Sequence, residues 1–323
     1  MRYIISDNTD AYFNLASEEY LLKKTDEEIT YLWRNDKSII VGKNQNTVEE
    51  INVDYVRDHD IKVVRRLTGG GAVYHDLGNL NYTFIENDGK SFNDFKGFCL
   101  PIIEALNVIG VDAEFSGRND MTIKGKKFSG TAQCKYNKRV MHHGTLLFSS
   151  IKSDLTSALK PKDLKLQGKG VKSVISRVTN ISEHLLNNMD VIEFRNYIMK
   201  FLLGENDEVT TFTPKEVEEI LLLREEKYAQ WSWNFGHSPK FSKTKEEKFK
   251  GGIVEVSVEV KKGLIIDIQI FGDFFSLFDL NDLQEALKEI NYREEDVQET
   301  LDQLDFEKYM VNITKEEFMS LLF

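Results

Sequence analysis

The sequence predicts an α/β (α+β) protein in two parts, a sheet-based domain over residues 1–245 and a small α+β module over residues 246–323. Three observations predict it. A length of 323 residues fits about two domains. Short strand-like runs alternate with helical patterns through the first two thirds of the chain. After a lysine-rich polar segment at 238–250, a hairpin followed only by helical patterns makes a separate module.

Each element has a local reason. Residues 14–24 set Leu15, Leu21 and Leu22 on a helical stripe beside Glu18 and Glu19. Residues 29–42 read as two short strands around Asn35-Asp36-Lys37, and residues 61–64 as a strand that stops at Arg65-Arg66. Residues 72–74 and 80–85 are strands again. Over residues 93–110, Phe95, Phe98, Ile102, Ile103 and Leu106 keep helical spacing as far as Gly110, with a kink or break expected at Pro101. Residues 121–123 and 127–132 flank Lys124-Gly125-Lys126 as a hairpin. Residues 140–148 give another strand, interrupted at His142-His143-Gly144.

Residues 160–172, with five lysines and two glycines, read as a mobile loop. Helices follow over 191–202 and 215–229, the second capped by Thr213 with Pro214 in its first turn. Residues 238–250 read as a linker, and residues 252–271 as two strands around Lys261-Lys262-Gly263. Helices over 280–290, 294–301 and 315–322 complete the small module.

Composition excludes several function classes. Acidic residues outnumber basic ones 53 to 42, for a net charge of −11, which argues against nucleic acid as the main partner. No apolar run is long enough to span a bilayer, and the first residues lack the apolar core of a secretion signal. With only Cys99 and Cys134, no disulfide framework or cysteine metal site is expected, and a reducing cytoplasm is the natural compartment.

Three segments carry chemistry. The first is RRLTGGGAVYHD at 65–76, where consecutive glycines let backbone N–H groups approach a ligand and form an anion-binding nest. It is neither a Walker A loop nor a dinucleotide fingerprint. The second is GRNDMTIKGKKFSGTAQ at 117–133, in which alternation puts Lys127, Ser129 and Thr131 on one strand face and Phe128 on the other. The third is HHGTLL at 142–147, whose adjacent histidines point to opposite faces and lack the further ligands of a zinc site.

Together, in this order, the three segments resemble the lipoate–protein ligase A family. Supporting stretches are NLASEEYLL, VGKNQNTVEEIN, LGNLNYTF, VKSVISRVTNI and WNFGHSPKF, and the resemblance runs over about residues 13–241. It implies a mixed-sheet fold shared with biotin protein ligases, and a C-terminal module like the accessory domain of bacterial two-domain members. The implied activity is ATP-dependent formation of lipoyl-adenylate from free lipoate, with transfer to a lysine of a carrier domain. ATP and Mg²⁺ serve as co-substrate and metal, with no tightly bound prosthetic group.

The resemblance also assigns roles. Lys127 is the catalytic lysine that touches both the lipoate carboxylate and the α-phosphate. Arg66 lies near the lipoate and adenylate pocket, Leu67 contributes only its main chain, and Gly70, Gly71, Ala72, Val73, Tyr74 and His75 wrap the nucleotide. Lipoate contacts fall to Arg66, Gly71, His75 and Lys127. Asn119 and Asp120 lie at the phosphates, with Asp120 a candidate Mg²⁺ ligand, and Ser129 and Thr145 add polar contacts. Implied carriers are E2 subunits of 2-oxoacid dehydrogenases and the glycine-cleavage H protein, met by a monomeric enzyme. Two rival readings are an ATP-independent octanoyl or lipoyl transferase with Cys134 as acyl carrier, and a non-catalytic binder, which the presence of Lys127 disfavours.

Overall fold

The computed structural model describes residues 1–45, 47–87, 89–159, 177–205, 207–235, 243–261 and 263–323. In chain order the strands are β1 (Arg2–Ile5), β2 (Ile29–Trp33), β3 (Ser38–Val41), β4 (Lys62–Arg65), β5 (Val73–His75), β6 (Asn79–Glu86), β7 (Ala113–Ser116), β8 (Asp120–Ile123), β9 (Lys126–Tyr136), β10 (Arg139–Leu147), β11 (Val209–Thr210), β12 (Lys243–Phe249), β13 (Gly252–Lys261) and β14 (Leu264–Gly272). Eight of them form a large mixed sheet in the order β11-β1-β2-β6-β10-β9-β8-β7. β11, β1 and β2 run parallel, and every later neighbour is antiparallel. A small sheet, β4-β3-β5, lies apart from it.

The two strands expected around Asn35-Asp36-Lys37 form, but they do not pair with each other. β2 belongs to the large sheet and β3 to the small one, so this turn carries the chain from one sheet to the other. Helix Ala11–Lys24 is capped by Asp10, whose side chain accepts from the Tyr12 N–H. It is buried so fully that Ser17, Glu18 and Glu19 lie inside with its leucines. On the other face of the large sheet, helix Phe95–Val108 buries Phe98, Ile102, Ile103 and Leu106 in the main core.

Several expectations need correction. Helix Phe95–Val108 runs through Pro101 as one element. Its apolar face is fixed by the core, and the proline ring lies on a partly exposed side, so packing outweighs the missing hydrogen bond. β10 is continuous through His142-His143-Gly144, because β6 and β9 pair with it on both sides. The hairpin between β8 and β9 turns at Lys124 (φ 50°) and Gly125 (φ 74°), the left-handed pair that matches strand twist. Of the stretch read as a linker, residues 243–249 form strand β12, paired residue by residue with β13. Its Lys and Glu content marks a charged sheet edge, which reads in sequence like a linker. Residues 236–242, and the basic segment 160–172, lie outside the described residues.

The sheet β12-β13-β14 and helices Leu280–Ala286, Glu294–Asp302 and Lys315–Leu322 enclose their own core, in which Val256, Ile268, Leu283, Phe306 and Phe318 are buried. A short helix, Phe306–Tyr309, was not visible in the sequence pattern. This unit meets the larger one at the loops after β3 and β4. The Gly272 N–H donates to the Asn44 carbonyl (2.6 Å), and the Phe275 ring lies 5.3 Å from Phe95. Among the described residues no helix is long and apolar enough to cross a membrane.

Candidate active site

The two arginines that end β4 have different fates. Arg65 is a structural hub: its guanidinium donates to the carbonyls of Gly42, Lys43, Gln45, Trp233 and Asn234 and to Thr47 Oγ1. Arg66 turns the other way and clasps the glycine loop. Its Nε donates to Thr68 Oγ1 (2.9 Å), Nη1 to the Ile40 carbonyl (3.0 Å), and Nη2 to the carbonyls of Gly69 (2.6 Å) and Gly71 (2.9 Å). Carbonyls drawn inward in this way leave the loop amides free to face a ligand. Burial lowers the Arg66 pKa to about 10, so it stays a cation at neutral pH. Only Gly70 of the three glycines has a left-handed backbone, at φ 93°.

Beneath the loop lies a cleft of about 140 Å³ between the two sheets. Its floor is a row of cross-strand neighbours: Trp33 on β2 opposes Asn81 on β6, and Asn81 opposes Thr145 on β10. The Gly130 N–H on β9 donates to Thr145 Oγ1 (3.3 Å), and Gly130 opposes Asp120 on β8. Three strand spacings, about 14 Å, therefore separate the Trp33 end from the Gly130 end. The opposite wall comes from Ile40, Arg66, Gly70, Gly71, Ala72 and Val73, with Leu15 of the first helix.

Lys127 stands at the Gly130 end. Its main chain is pinned, since its N–H donates to the Arg177 carbonyl (2.8 Å) and its carbonyl accepts from Thr179 (2.9 Å). Its Nζ forms an ion pair with Asp120 Oδ1 at 2.7 Å, with both side chains over a third exposed. A methyl placed on Gly130 would come within 3.0 Å of that Nζ, so the lysine lies folded over a glycine. Asn119, also at the cleft, donates from Nδ2 to the Thr131 carbonyl (2.6 Å) and fixes the hairpin base.

Thus Arg66, Gly70, Gly71, Ala72, Val73, His75, Asn119, Lys127 and Thr145 all line one cleft. Four anticipated residues do not. Leu67 packs against the cluster around the first helix, and Tyr74 turns into the core behind the small sheet. Asp120 reaches the site through its ion pair with Lys127. Ser129 is fully buried, because a bulge opposite Met121/Thr122 breaks the alternation expected between Lys127 and Thr131. The sequence reading missed Leu15, Trp33, Ile40, Asn81 and His143 as lining, and the register of β2, β6 and β10 that brings three of them together leaves no local signal.

His142 and His143 point to opposite faces. His143 lines the cleft, its ring bridging Glu18 Oε1 (2.8 Å) and Thr68 Oγ1 (2.7 Å), and so links the first helix to the glycine loop. His142 stacks on Phe98 at 4.7 Å, and burial holds it neutral with its pKa well below the ordinary value. Burial also lowers His75 to about 3, helped by the Arg66 charge. Both histidines take protons in the unfolded chain below about pH 6.5 but not in the folded one. Stability should therefore fall on acidification from about pH 7.5 to about pH 5.5, by about 3 kcal/mol for the pair. Thermal melts at the two pH values check this, and His142→Gln should lose less.

Cys134 does not line the cleft, and burial pushes its thiol up to about 12, so it is not a thiolate at neutral pH. Cys134→Ser should leave turnover within about twofold of the parent, which steady-state assays would test. Among the described residues no three His, Cys, Asp or Glu side chains gather as a metal site. Among the described residues Asp120 offers the carboxylate beside the lysine, a donor set that suits a magnesium ion carried in by phosphates and water.

The geometry agrees with what the chain resembles. Residues 10–203 match the lipoyl protein ligase A/B catalytic domain, and residues 238–322 match the bacterial lipoate protein ligase C-terminus. Lipoate-protein ligase LplJ of Bacillus subtilis is 45% identical, with 100% of each chain covered. The structure of P. falciparum LipL1 in complex with lipoate superposes with a TM-score of 0.79 at 31% identity, covering 94% of each chain. A lipoate-protein ligase A bound with ATP gives 0.63 at 27% identity, over 73% of this chain and 98% of the other. With a matched catalytic domain, a matched C-terminal domain and relatives alike from end to end, the chain belongs to the lipoyl protein ligase A/B family.

Proposed function

We propose that the protein is an ATP-dependent lipoate–protein ligase that converts free lipoate to lipoyl-adenylate, releasing pyrophosphate, and then passes the lipoyl group to a lysine of a carrier domain. The observation that carries this reading is the two-ended cleft. One end is apolar at Leu15 and Trp33, and the other holds the Lys127 cation beside Asn119 and Asp120. An acid with a long apolar tail fits that polarity, with its carboxylate at the lysine. The family membership and the ATP-bound relative support the same reading.

In the first half-reaction a carboxylate oxygen attacks the α-phosphorus, and the bond to pyrophosphate breaks. Two anions must meet, and the Lys127 ammonium between them offsets their repulsion as the transition state forms. The Lys127–Asp120 pair opens as phosphates arrive, which frees the carboxylate. Asp120 would then supply one oxygen to a magnesium ion, whose charge neutralises the leaving pyrophosphate. Gly70, Gly71, Ala72 and Val73 wrap the nucleotide with their amides, Leu67 and Tyr74 contribute main chain, and Arg66 and His143 hold the loop in shape. Thr145 offers a hydroxyl from the floor, and Ser129 supports that floor from beneath.

In the second half-reaction the neutral amine of the carrier lysine attacks the acyl carbon, and AMP leaves. Expected carriers are E2 subunits of 2-oxoacid dehydrogenases and the glycine-cleavage H protein, met by a monomer in the cytoplasm. The catalytic domain is taken as residues 1–245 and the accessory domain as residues 246–323, a division that the separate family match over residues 238–322 supports. The test is pyrophosphate release from protein, ATP, Mg²⁺ and lipoate without any carrier. A burst of about one equivalent per active site is expected. No burst, together with ATP-free acyl transfer from an acylated carrier, would replace this reading with a transferase.

A further inference from the structure

The row of cross-strand neighbours that floors the cleft continues past Gly130. Asp120 opposes Gly130 on one side and Ser116 of β7 on the other, and residues 117–119 close the β7–β8 hairpin just beyond. Adjacent strands lie about 4.8 Å apart, so this tip stands within about 10 Å of the Gly130 end, on the side away from Trp33. Gly117 makes the turn at φ 62°. Asn119 ties the tip to β9: its carbonyl accepts from the N–H and from Oγ1 of Thr131 (3.0 Å each), and its Nδ2 donates to the Thr131 carbonyl (2.6 Å). Arg118 is left at the apex, on a fixed root.

The guanidinium of Arg118 reaches the accessory domain. Its Nη1 donates to the Gly251 carbonyl, and its plane lies over the Phe275 ring, 4.8 Å from the centroid. Phe275 is buried and abuts the cleft wall, since it packs on Ala132 and its ring lies 3.9 Å from a methyl placed on Gly70. Both partners of Arg118 are neutral. Among the described residues no carboxylate pairs with it, its remaining N–H donors have no protein acceptor, and the side chain is exposed. The carboxylate nearest in sequence, Asp120, is taken by Lys127. In a chain with 53 acidic residues against 42 basic ones, a guanidinium steadied only by neutral groups keeps its charge for an outside anion.

We propose that Arg118 binds the β- and γ-phosphates of ATP and stabilises the departing pyrophosphate, held in place for this by Gly251 and Phe275 of the accessory domain. The inference rests on the ligase reading above. In that reading the carboxylate comes to the α-phosphorus from the Trp33 side, and attacking and leaving oxygens lie roughly in line. Pyrophosphate therefore leaves outward, past Asp120 toward the hairpin tip. As the bond from phosphorus to the bridging oxygen breaks, its electron pair stays on pyrophosphate, where negative charge grows. Lys127 serves the reacting carboxylate and α-phosphate, and Arg118 serves the leaving group. Charge-assisted hydrogen bonds to phosphate are stronger than those to neutral acceptors, and a guanidinium fork matches phosphate oxygens.

The test follows lipoyl-adenylate formation without carrier, as a burst, on the full chain and on Arg118→Ala, Arg118→Lys and Phe275→Leu. ATP is varied, and pyrophosphate or AMP is titrated in as inhibitor. Arg118→Ala should raise both the half-saturating ATP concentration and the inhibition constant of pyrophosphate about tenfold, and that of AMP by less than about twofold. AMP lacks the two outer phosphates, so general damage to the site would weaken both inhibitors alike. Arg118→Lys should recover part of the loss, because it keeps the charge but not the fork. Phe275→Leu should weaken ATP and pyrophosphate about threefold with AMP unmoved, and no change there would refute the holding role of the accessory domain. If Arg118→Ala leaves ATP and pyrophosphate within about twofold of the parent, or weakens AMP equally, the assignment of Arg118 is refuted while the ligase reading stands. If the wild-type protein forms no adenylate from ATP and lipoate, the ligase reading falls and this role falls with it.

Discussion

Lys127→Ala is expected to lose at least about a thousandfold in lipoate-dependent pyrophosphate release while changing stability by less than about 1 kcal/mol. The two effects separate because the side chain is over a third exposed and its ion pair with Asp120 is solvent-screened. Its main chain is held independently by Arg177 and Thr179, so truncation leaves the strand where it is. What disappears is the cation poised between two anions, and among the described residues no other cleft-lining cation can substitute. Arg66 is the nearest candidate, but four of its five N–H donors are committed to Thr68, Ile40 and the glycine loop, which holds its charge away from the Lys127 end. Lys127→Arg should not rescue, because a broad planar guanidinium with delocalised charge cannot stand in for a compact ammonium between two converging anions. Single-turnover assays and thermal melts on both variants give the answer. Activity of Lys127→Ala within tenfold of the parent would sink the assigned role.

How far the sequence carried the argument depended on whether the deciding partner was near in the chain. The hairpin that presents Lys127 was legible because Gly125 makes its turn between two strand-like runs. The start of helix Pro214–Leu223 was legible too, since Thr213, Pro214 and the Glu216 of its capping box are all local. Arg65 and Arg66 are the counterexample. They are identical neighbours, and contacts with residues 42–47 and with Trp233 and Asn234, none of them adjacent in the chain, commit Arg65 to structure. Ser129 was misread because a bulge is a property of two strands, not one. The far end of the cleft was invisible for the same reason: Trp33 and Asn81 meet through strand register alone. β12 was hidden by its edge position, where burial leaves no apolar imprint.

Gly42→Ala should damage the enzyme almost as severely as loss of the lysine, for reasons of space alone. A Cβ at this position would stand 2.0 Å from the Gly70 carbonyl oxygen and 3.1 Å from its carbon, so backbone must move. Residue 42 cannot be the one to yield. Its N–H donates to Gln45 Oε1 (2.7 Å), its carbonyl accepts from Arg65 (2.9 Å), and the next amide, of Lys43, donates to the Thr68 carbonyl (2.8 Å). The strain therefore passes to Gly70, which lies at φ 93° in the loop that Arg66 clasps. Displacing that loop by even an ångström misaligns the amides meant for the nucleotide, and adenylation should fall about a hundredfold. Overpacking should also lower stability by about 1–3 kcal/mol. Gly125→Ala is the control: its φ is 74°, but a methyl there meets nothing within 4 Å. Only backbone strain of about 1 kcal/mol applies to it, and its turnover should stay near the parent's. Should Gly42→Ala behave like Gly125→Ala in both melts and pyrophosphate release, the close approach of residue 42 to the glycine loop would have no bearing on catalysis.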